Sequence, residues 1–200
     1  MYEVIFDIET QKFFDDTGTS DPADLGVSVV SLYSRKLDEN FREIEGAMYS
    51  FWEKELDQMW KLFWDADRII GFNSVNFDVP ALGPYAPQGF SKLPHFDILS
   101  QVKDVFGRRI SLNRIAKDTL GNTKIDSGAN AIIYWQKGDT ESLAKLKKYC
   151  EADVSITRDI YDFGLKNKTL KFTDHWNNPR TIDVDFSYPK AASSTQTSLF

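Results

Sequence analysis

The opening segment MYEVIFDIET constrains the fold more than any other stretch of the chain. Val4, Ile5, Phe6 and Ile8 are apolar on both parities of an extended backbone, so a strand here is a central one, covered on both faces by other layers. Asp7 and Glu9 stand two apart and leave the same face, while Phe6 and Ile8 enter the other. The acids inside this apolar run, and the lack of a basic stretch before it, read as a strand and not as a signal peptide.

The rest of the chain supplies the neighbours such a strand needs. GVSVVSLYSR (26–35) is rich in β-branched residues and reads as a second strand after the turn-rich DDTGTSDPAD, and a third short strand fits near 43–50. EKELDQMWKLFWDA (53–66) places Leu56, Met59, Trp60, Phe63 and Trp64 at helical spacing, which predicts one helix with a single apolar stripe. RIIGFN (68–73) is a short buried strand, and the prolines and glycines of VPALGPYAPQG keep any helix after Asp78 brief. HFDILS reads as a strand edge leading into a helix through Phe106. SLNRIAKDTLG (111–121) reads as a compact helix with a serine cap and a glycine stop.

A polar loop then precedes a long helix within 138–167. It is capped by Asp139 or Thr140 and carries Leu143, Leu146, Cys150, Val154 and Ile160 on its repeat. TLKFTDHWNNPRTIDVDF (169–186) has two alternating runs around Asn177, Asn178 and Pro179, the pattern of a hairpin. Strands first, then mixed helices and strands, predict an α/β fold with a mixed sheet flanked by helices. The expected organisation is one domain over residues 1–186 and a flexible polar tail over 187–200.

Charge is unevenly spread. The formal net charge of −6 argues against coating nucleic acid by bulk electrostatics, and residues 1–67 hold 16 acids against 6 bases. Residues 103–148 reverse this, with 10 bases (Lys103, Arg108, Arg109, Arg114, Lys117, Lys124, Lys137, Lys145, Lys147 and Lys148) against 5 acids. Such a bias is either a set of solvated helix faces or a surface that tracks a phosphate backbone. Cys150 is the single cysteine, a small residue on a helix, which excludes an internal disulfide and makes a reducing cytoplasm the default compartment. No apolar stretch approaches the roughly 18 residues that a membrane span requires.

Three stretches carry the chemistry. Asp7 and Glu9 sit on a strand whose neighbours imply burial, and buried carboxylates favour a cation as compensating charge. Asp78, in GFNSVNFDVPAL, follows a buried strand at a position that suits either a helix cap or a ligand. Tyr149 and Asp153, in YCEADVSIT, are spaced i and i+4 and stack on one helix face. Asp-x-Glu on the first strand, Asn-x-x-x-Phe-Asp about 70 residues later and Tyr-x-x-x-Asp in a late helix together resemble the three exonuclease motifs of the DEDD superfamily. These are proofreading-type 3′–5′ exonucleases with a ribonuclease H-like fold, and the resemblance covers roughly residues 1–165. Lys148 stands where the histidine subtype carries its histidine, whereas Tyr149 matches the tyrosine subtype. His95 and His175 lie outside the third motif and read as ordinary surface or turn residues.

The resemblance implies a site in which Asp7, Glu9, Asp78 and Asp153 hold two divalent cations, Mg²⁺ or Mn²⁺, with Asp7 bridging the pair. Two such ions stabilise the attacking water and the departing 3′ oxygen of a phosphodiester. Tyr149 orients that water, and Glu9 touches the terminal 3′ hydroxyl. Asn73 and Phe77, ahead of Asp78, and Phe13 and Phe14, after the first motif, are the substrate-contact candidates. Phe13 and Phe14 would stack on terminal bases, whereas Phe72 suits core packing as well. The substrate implied is a single-stranded or frayed DNA 3′ end. The same chemistry on RNA, and a catalytically idle nucleic-acid or clamp-binding adaptor, are the alternatives.

The chain closes on STQTSLF, whose Gln196, Leu199 and Phe200 resemble the short peptide with which bacterial replication and repair proteins dock into the sliding DNA clamp. An extended segment of this kind contributes a glutamine contact and a Leu-Phe anchor, with a modest affinity set by its ordering entropy. The similar QMWKLF (58–63) falls on the apolar stripe of the expected helix and is assigned to the core.

Overall fold

Five strands form one mixed sheet: β1 (Tyr2–Thr10), β2 (Val27–Leu37), β3 (Glu43–Trp52), β4 (Arg68–Gly71) and β5 (His95–Asp97). The structure is a computed structural model that describes residues 1–121 and 128–188. The spatial order is β3-β2-β1-β4-β5, so the apolar N-terminal strand is central, as its composition requires. β2 and β3 run antiparallel as a meander, whereas β4 and β5 run parallel to β1. The connectivity therefore changes direction at β1, and a crevice lined by Ile8, Glu9, Thr10 and Phe77 opens at the carboxyl end of β1. Open α/β sheets characteristically bind ligands at such a switch point.

Alternation along β1 sorts its two faces. Val4, Phe6 and Ile8 pack with Met59, Phe63, Leu82 and Phe90, under α2 (Trp60–Trp64) and α3 (Asp78–Leu82). Ile5 packs on the opposite side with Ile70, Val154, Ile160 and Tyr161. That side is covered by α4 (Ile98–Phe106), α5 (Leu112–Leu120) and the long α7 (Thr140–Asn167), with α6 (Gly128–Lys137) against α7. Asp139 caps α7 by accepting from the Ser142 N–H at 2.8 Å. Leu146, Cys150, Asp153, Thr157, Ile160 and Gly164 then fall on its buried face at spacings of three and four. Gly164 allows a close approach, since a Cβ there would lie 2.3 Å from Cε2 of the buried Phe186.

At the far end of β1 from the crevice, Glu3 is fully buried in a polar cluster. Its Oε2 accepts from Arg35 Nε at 2.7 Å, and its Oε1 accepts from the hydroxyls of Tyr161 at 3.0 Å and Tyr188 at 2.7 Å. Arg35 also forks onto Asp162 at 2.6 and 2.9 Å. Arg68 donates to Tyr161 and to the Phe186 carbonyl, and lies over the Tyr188 ring. Ser187 and Tyr188, expected in the tail, are thereby held on the domain.

The hairpin forms as β6 (Thr169–Thr173) and β7 (Pro179–Asp183), with Asn177 in the left-handed region at φ +60°. Four expectations need correction. The single helix over 53–66 is split into a 3₁₀ segment, Glu53–Gln58, and α2. The three-residue period of the former sets Leu56 over Met59 on the core, and Trp64 is left 43% exposed. The loop expected before residue 138 contains α6, whose Ala131 and Ile132 are buried and whose Trp135 stacks on Trp52. Ser111 occupies the cap position of α5 without a side-chain capping bond. His95 is neither a surface nor a turn residue: it lies half-buried in β5, with Nε2 2.9 Å from the Phe90 carbonyl, and burial lowers its pKa. His175 is exposed at the hairpin turn, as expected. Among the described residues no helix is long and apolar enough to cross a membrane.

Candidate metal centre

Strand alternation puts Asp7 and Glu9 on the α7 side of β1, at its carboxyl end. The buried face of α7 brings Asp153 to the same place. Carboxylate oxygens of Asp7, Glu9 and Asp153 all lie within 4.8 Å of one another. Tyr149, one turn before Asp153 on that face, shares the cluster. Burial, the carboxylates of Asp153, Glu9 and Asp7, and a hydrogen bond to Asp153 together push its phenol far above the ordinary tyrosine range. A phenol so placed stays protonated at neutral pH and is a hydrogen-bond donor.

Asp78 arrives from the other side of the sheet, on the first turn of α3 just after β4. It is outside the trio but tied to its strand, because its Oδ1 accepts from the Ile8 N–H at 3.2 Å. Burial pushes its pKa up to about 7, opposed by that N–H and reinforced by the nearby Asp97 carboxylate. A buried carboxyl that favours its protonated form is one that a cation bound nearby would return to its ionised form. The donors are hard oxygens, which suit Mg²⁺ or Mn²⁺ better than soft metals. The one soft group nearby is Cys150, whose Sγ lies 3.4 Å from the Asp7 carbonyl oxygen. Burial first, then Asp7 and Glu9, raise its pKa, so it remains a neutral thiol.

The other expected residues divide into two groups. Phe13 and Phe14 are 38% and 39% exposed, and Phe14 meets Phe77 edge-on at 6.2 Å. All three line a cavity of about 320 Å³ with Glu9, Leu25 and Ile132, so the aromatic candidates adjoin the carboxylates. Phe72 is half-buried against the core beneath α7. Asn73 takes the left-handed conformation at φ +65°, accepts from Arg109 Nη2 at 2.9 Å and faces a separate small polar recess with Asn76, Ser100 and Lys103. Gln196, Leu199 and Phe200, like Lys124, lie outside the described residues.

Two contributors were not legible as site residues. Asp97 anchors the loop that carries Asp78 by accepting from the N–H groups of Asn73 and Val75, while also capping α4 through Leu99 and Ser100. Its place in HFDILS, at a strand-to-helix junction, was the available signal. Ile132 reaches the aromatic cavity from α6, where the sequence pattern predicts a polar loop.

Known proteins resemble the chain in sequence and in fold. The chain is 25% identical over 177 residues to the DNA polymerase delta catalytic subunit of Candida albicans, covering 68% of this chain and 17% of that protein. Among solved structures, the family B DNA polymerase of the hyperthermophilic archaeon Pyrobaculum calidifontis superposes with a TM-score of 0.58 at 20% identity, covering 82% of this chain and 24% of that one. The zinc-bound E. coli ExoI–ssDNA complex gives a TM-score of 0.48 at 14% identity, over 84% of this chain and 41% of that one. The chain thus spans less than half the length of each of these proteins. The profile of the RNase_H superfamily matches residues 4–163, and the chain belongs to that superfamily.

Proposed function

We propose that this protein is a metal-dependent 3′–5′ exonuclease of the tyrosine subtype, hydrolysing phosphodiester bonds at single-stranded or frayed DNA 3′ ends in replication or repair. The observation that carries the reading is the meeting of Asp7, Glu9 and Asp153 within 4.8 Å beside Tyr149, from two elements far apart in sequence. Asp7, Glu9, Asp78 and Asp153 would hold the ions. When bound, a pair of divalent ions acidifies an attacking water and offsets the charge that develops on the departing 3′ oxygen. Tyr149, kept protonated, orients the nucleophile by donating a hydrogen bond and does not serve as its base. Phe13, Phe14 and Phe77 receive the terminal base beside Glu9, which reaches the 3′ hydroxyl, and Asn73 meets the strand farther along. The retention of all four acids and the tyrosine favours an enzyme over an idle adaptor.

DNA is preferred over RNA on two grounds: the curated relative is a DNA polymerase subunit, and Gln196, Leu199 and Phe200 suit docking to a sliding DNA clamp. Deletion of residues 196–200 should abolish clamp binding and leave cleavage of short oligonucleotides intact; equal clamp binding by the truncated protein rejects that partner. The function itself is tested with 5′-labelled single-stranded DNA and RNA of one sequence in Mg²⁺. Wild type should shorten the DNA stepwise from its 3′ end, and Asp7→Ala or a chelator should stop it. Cleavage that survives either treatment contradicts the metal centre.

A further inference from the structure

The hairpin at the C-terminal side of the domain has no part in the metal centre, yet its well-anchored turn carries an exposed indole. β6 is fixed to α5 by Thr119, whose hydroxyl donates to the Lys171 carbonyl at 2.7 Å and accepts from the Lys171 N–H at 2.9 Å. Thr173 Oγ1 donates to Asp118 at 2.7 Å, and Phe172 packs edge-on against Phe106 at 4.9 Å. At the tip, the buried Asp174 accepts from the N–H groups of Trp176 and Asn178 and from Arg180 Nε. These contacts immobilise the turn, and Trp176 nevertheless stands 58% exposed. Arg108 lies over its indole, with the guanidinium carbon 4.7 Å from the ring centroid. The adjacent Arg109 donates to Asn73, at the start of the loop that leads to Asp78, and the exposed Lys103 lines the same recess.

We propose that Trp176, Arg108, Arg109 and Lys103 form a second contact surface for single-stranded DNA, which engages nucleotides away from the 3′ terminus as the strand leaves the metal centre. An exposed indole beside several cations matches the two needs of a single strand, a stacking partner for a base and countercharge for phosphates. Arg108 also pre-orients the indole, so little ordering cost remains at binding. The contact between Arg109 and Asn73 makes the surface continuous with the Asp78 loop. This inference extends the proposed function, and the binding test does not depend on hydrolysis.

The test measures fluorescence anisotropy of 5′-labelled single-stranded DNA of about 4 and about 16 nucleotides, the range of site sizes of single-strand binders, in chelator. Wild type, Trp176→Ala, Trp176→Phe and Arg108→Gln are compared as full chains. Trp176→Ala should weaken the long strand about tenfold, the worth of one base stack, and leave the short strand unchanged, while Trp176→Phe retains most of the affinity. Arg108→Gln should lower the salt dependence of long-strand binding by about one phosphate contact. Equal long-strand binding by wild type and Trp176→Ala, or an equal loss on both lengths, overturns the proposal. If wild type binds the long strand through Trp176 but hydrolyses no strand with Mg²⁺, the proposed activity fails and this surface stands.

Discussion

Replacing Asp78 by asparagine removes a titration that folding opposes. An unfolded aspartate has a pKa of about 3.9, whereas burial pushes that of Asp78 up to about 7 in the folded protein. Between these values the folded state keeps a proton that the unfolded chain releases. Stability is therefore fully retained below about pH 4, falls as pH rises, and levels off above about pH 7. At about 1.4 kcal/mol per unit the ceiling of this loss is about 4 kcal/mol. Asp78→Asn keeps an acceptor for the Ile8 N–H and carries no charge at any pH. Urea unfolding in chelator should give nearly equal stabilities for wild type and variant at pH 4, and a wild type about 2–4 kcal/mol weaker than the variant at pH 8. Added Mg²⁺ at pH 8 should stabilise the wild type more than the variant, because a bound cation favours the ionised carboxylate. An equal gap between the two proteins at both pH values would show that Asp78 does not titrate across this range.

Three further outcomes follow from other parts of the molecule. Tyr149→Phe should lower kcat by about 10²-fold, the worth of one positioned group, with KM and strand affinity unchanged; a variant that turns over like wild type removes Tyr149 from the chemistry. Arg35→Met leaves the fully buried Glu3 without its cation and should cost about 3–5 kcal/mol in urea unfolding, and a loss below about 1 kcal/mol would mean that Tyr161, Tyr188 and their surroundings compensate the charge alone. Gly164→Ala forces a methyl against the Phe186 ring and should destabilise by about 1–3 kcal/mol; an unchanged unfolding midpoint would show that the ring moves aside freely.

What the sequence revealed and what it concealed divide along physical lines. The central strand was legible because apolar residues on both parities fit no other place in a sheet. Asp7 with Glu9, and Tyr149 with Asp153, were legible because strand alternation and the helical turn each place a local pair on one face. The bond from Asp78 to the Ile8 amide was not, since it depends on how β4 and α3 sit beside β1. Nor was the role of Asp97, whose carboxylate serves a loop more than twenty residues earlier. α6 is not legible in the sequence because Ile132, Ile133, Tyr134 and Trp135 favour extended backbone intrinsically, and packing of its Ala131 and Trp135 against neighbouring elements overrides that preference. The hairpin could be read from its turn residues, but its anchorage to Thr119 and Phe106 joins segments that local pattern does not connect.

If the proposed function holds, the carboxylates gathered at the end of β1 are ion ligands. Crystals soaked in Mn²⁺ test it through an anomalous difference map. Two peaks are expected, both bounded by Asp7, Glu9, Asp78 and Asp153, and both lost in Asp7→Ala. Peaks confined to other acidic surfaces, or none between these four residues, would contradict it.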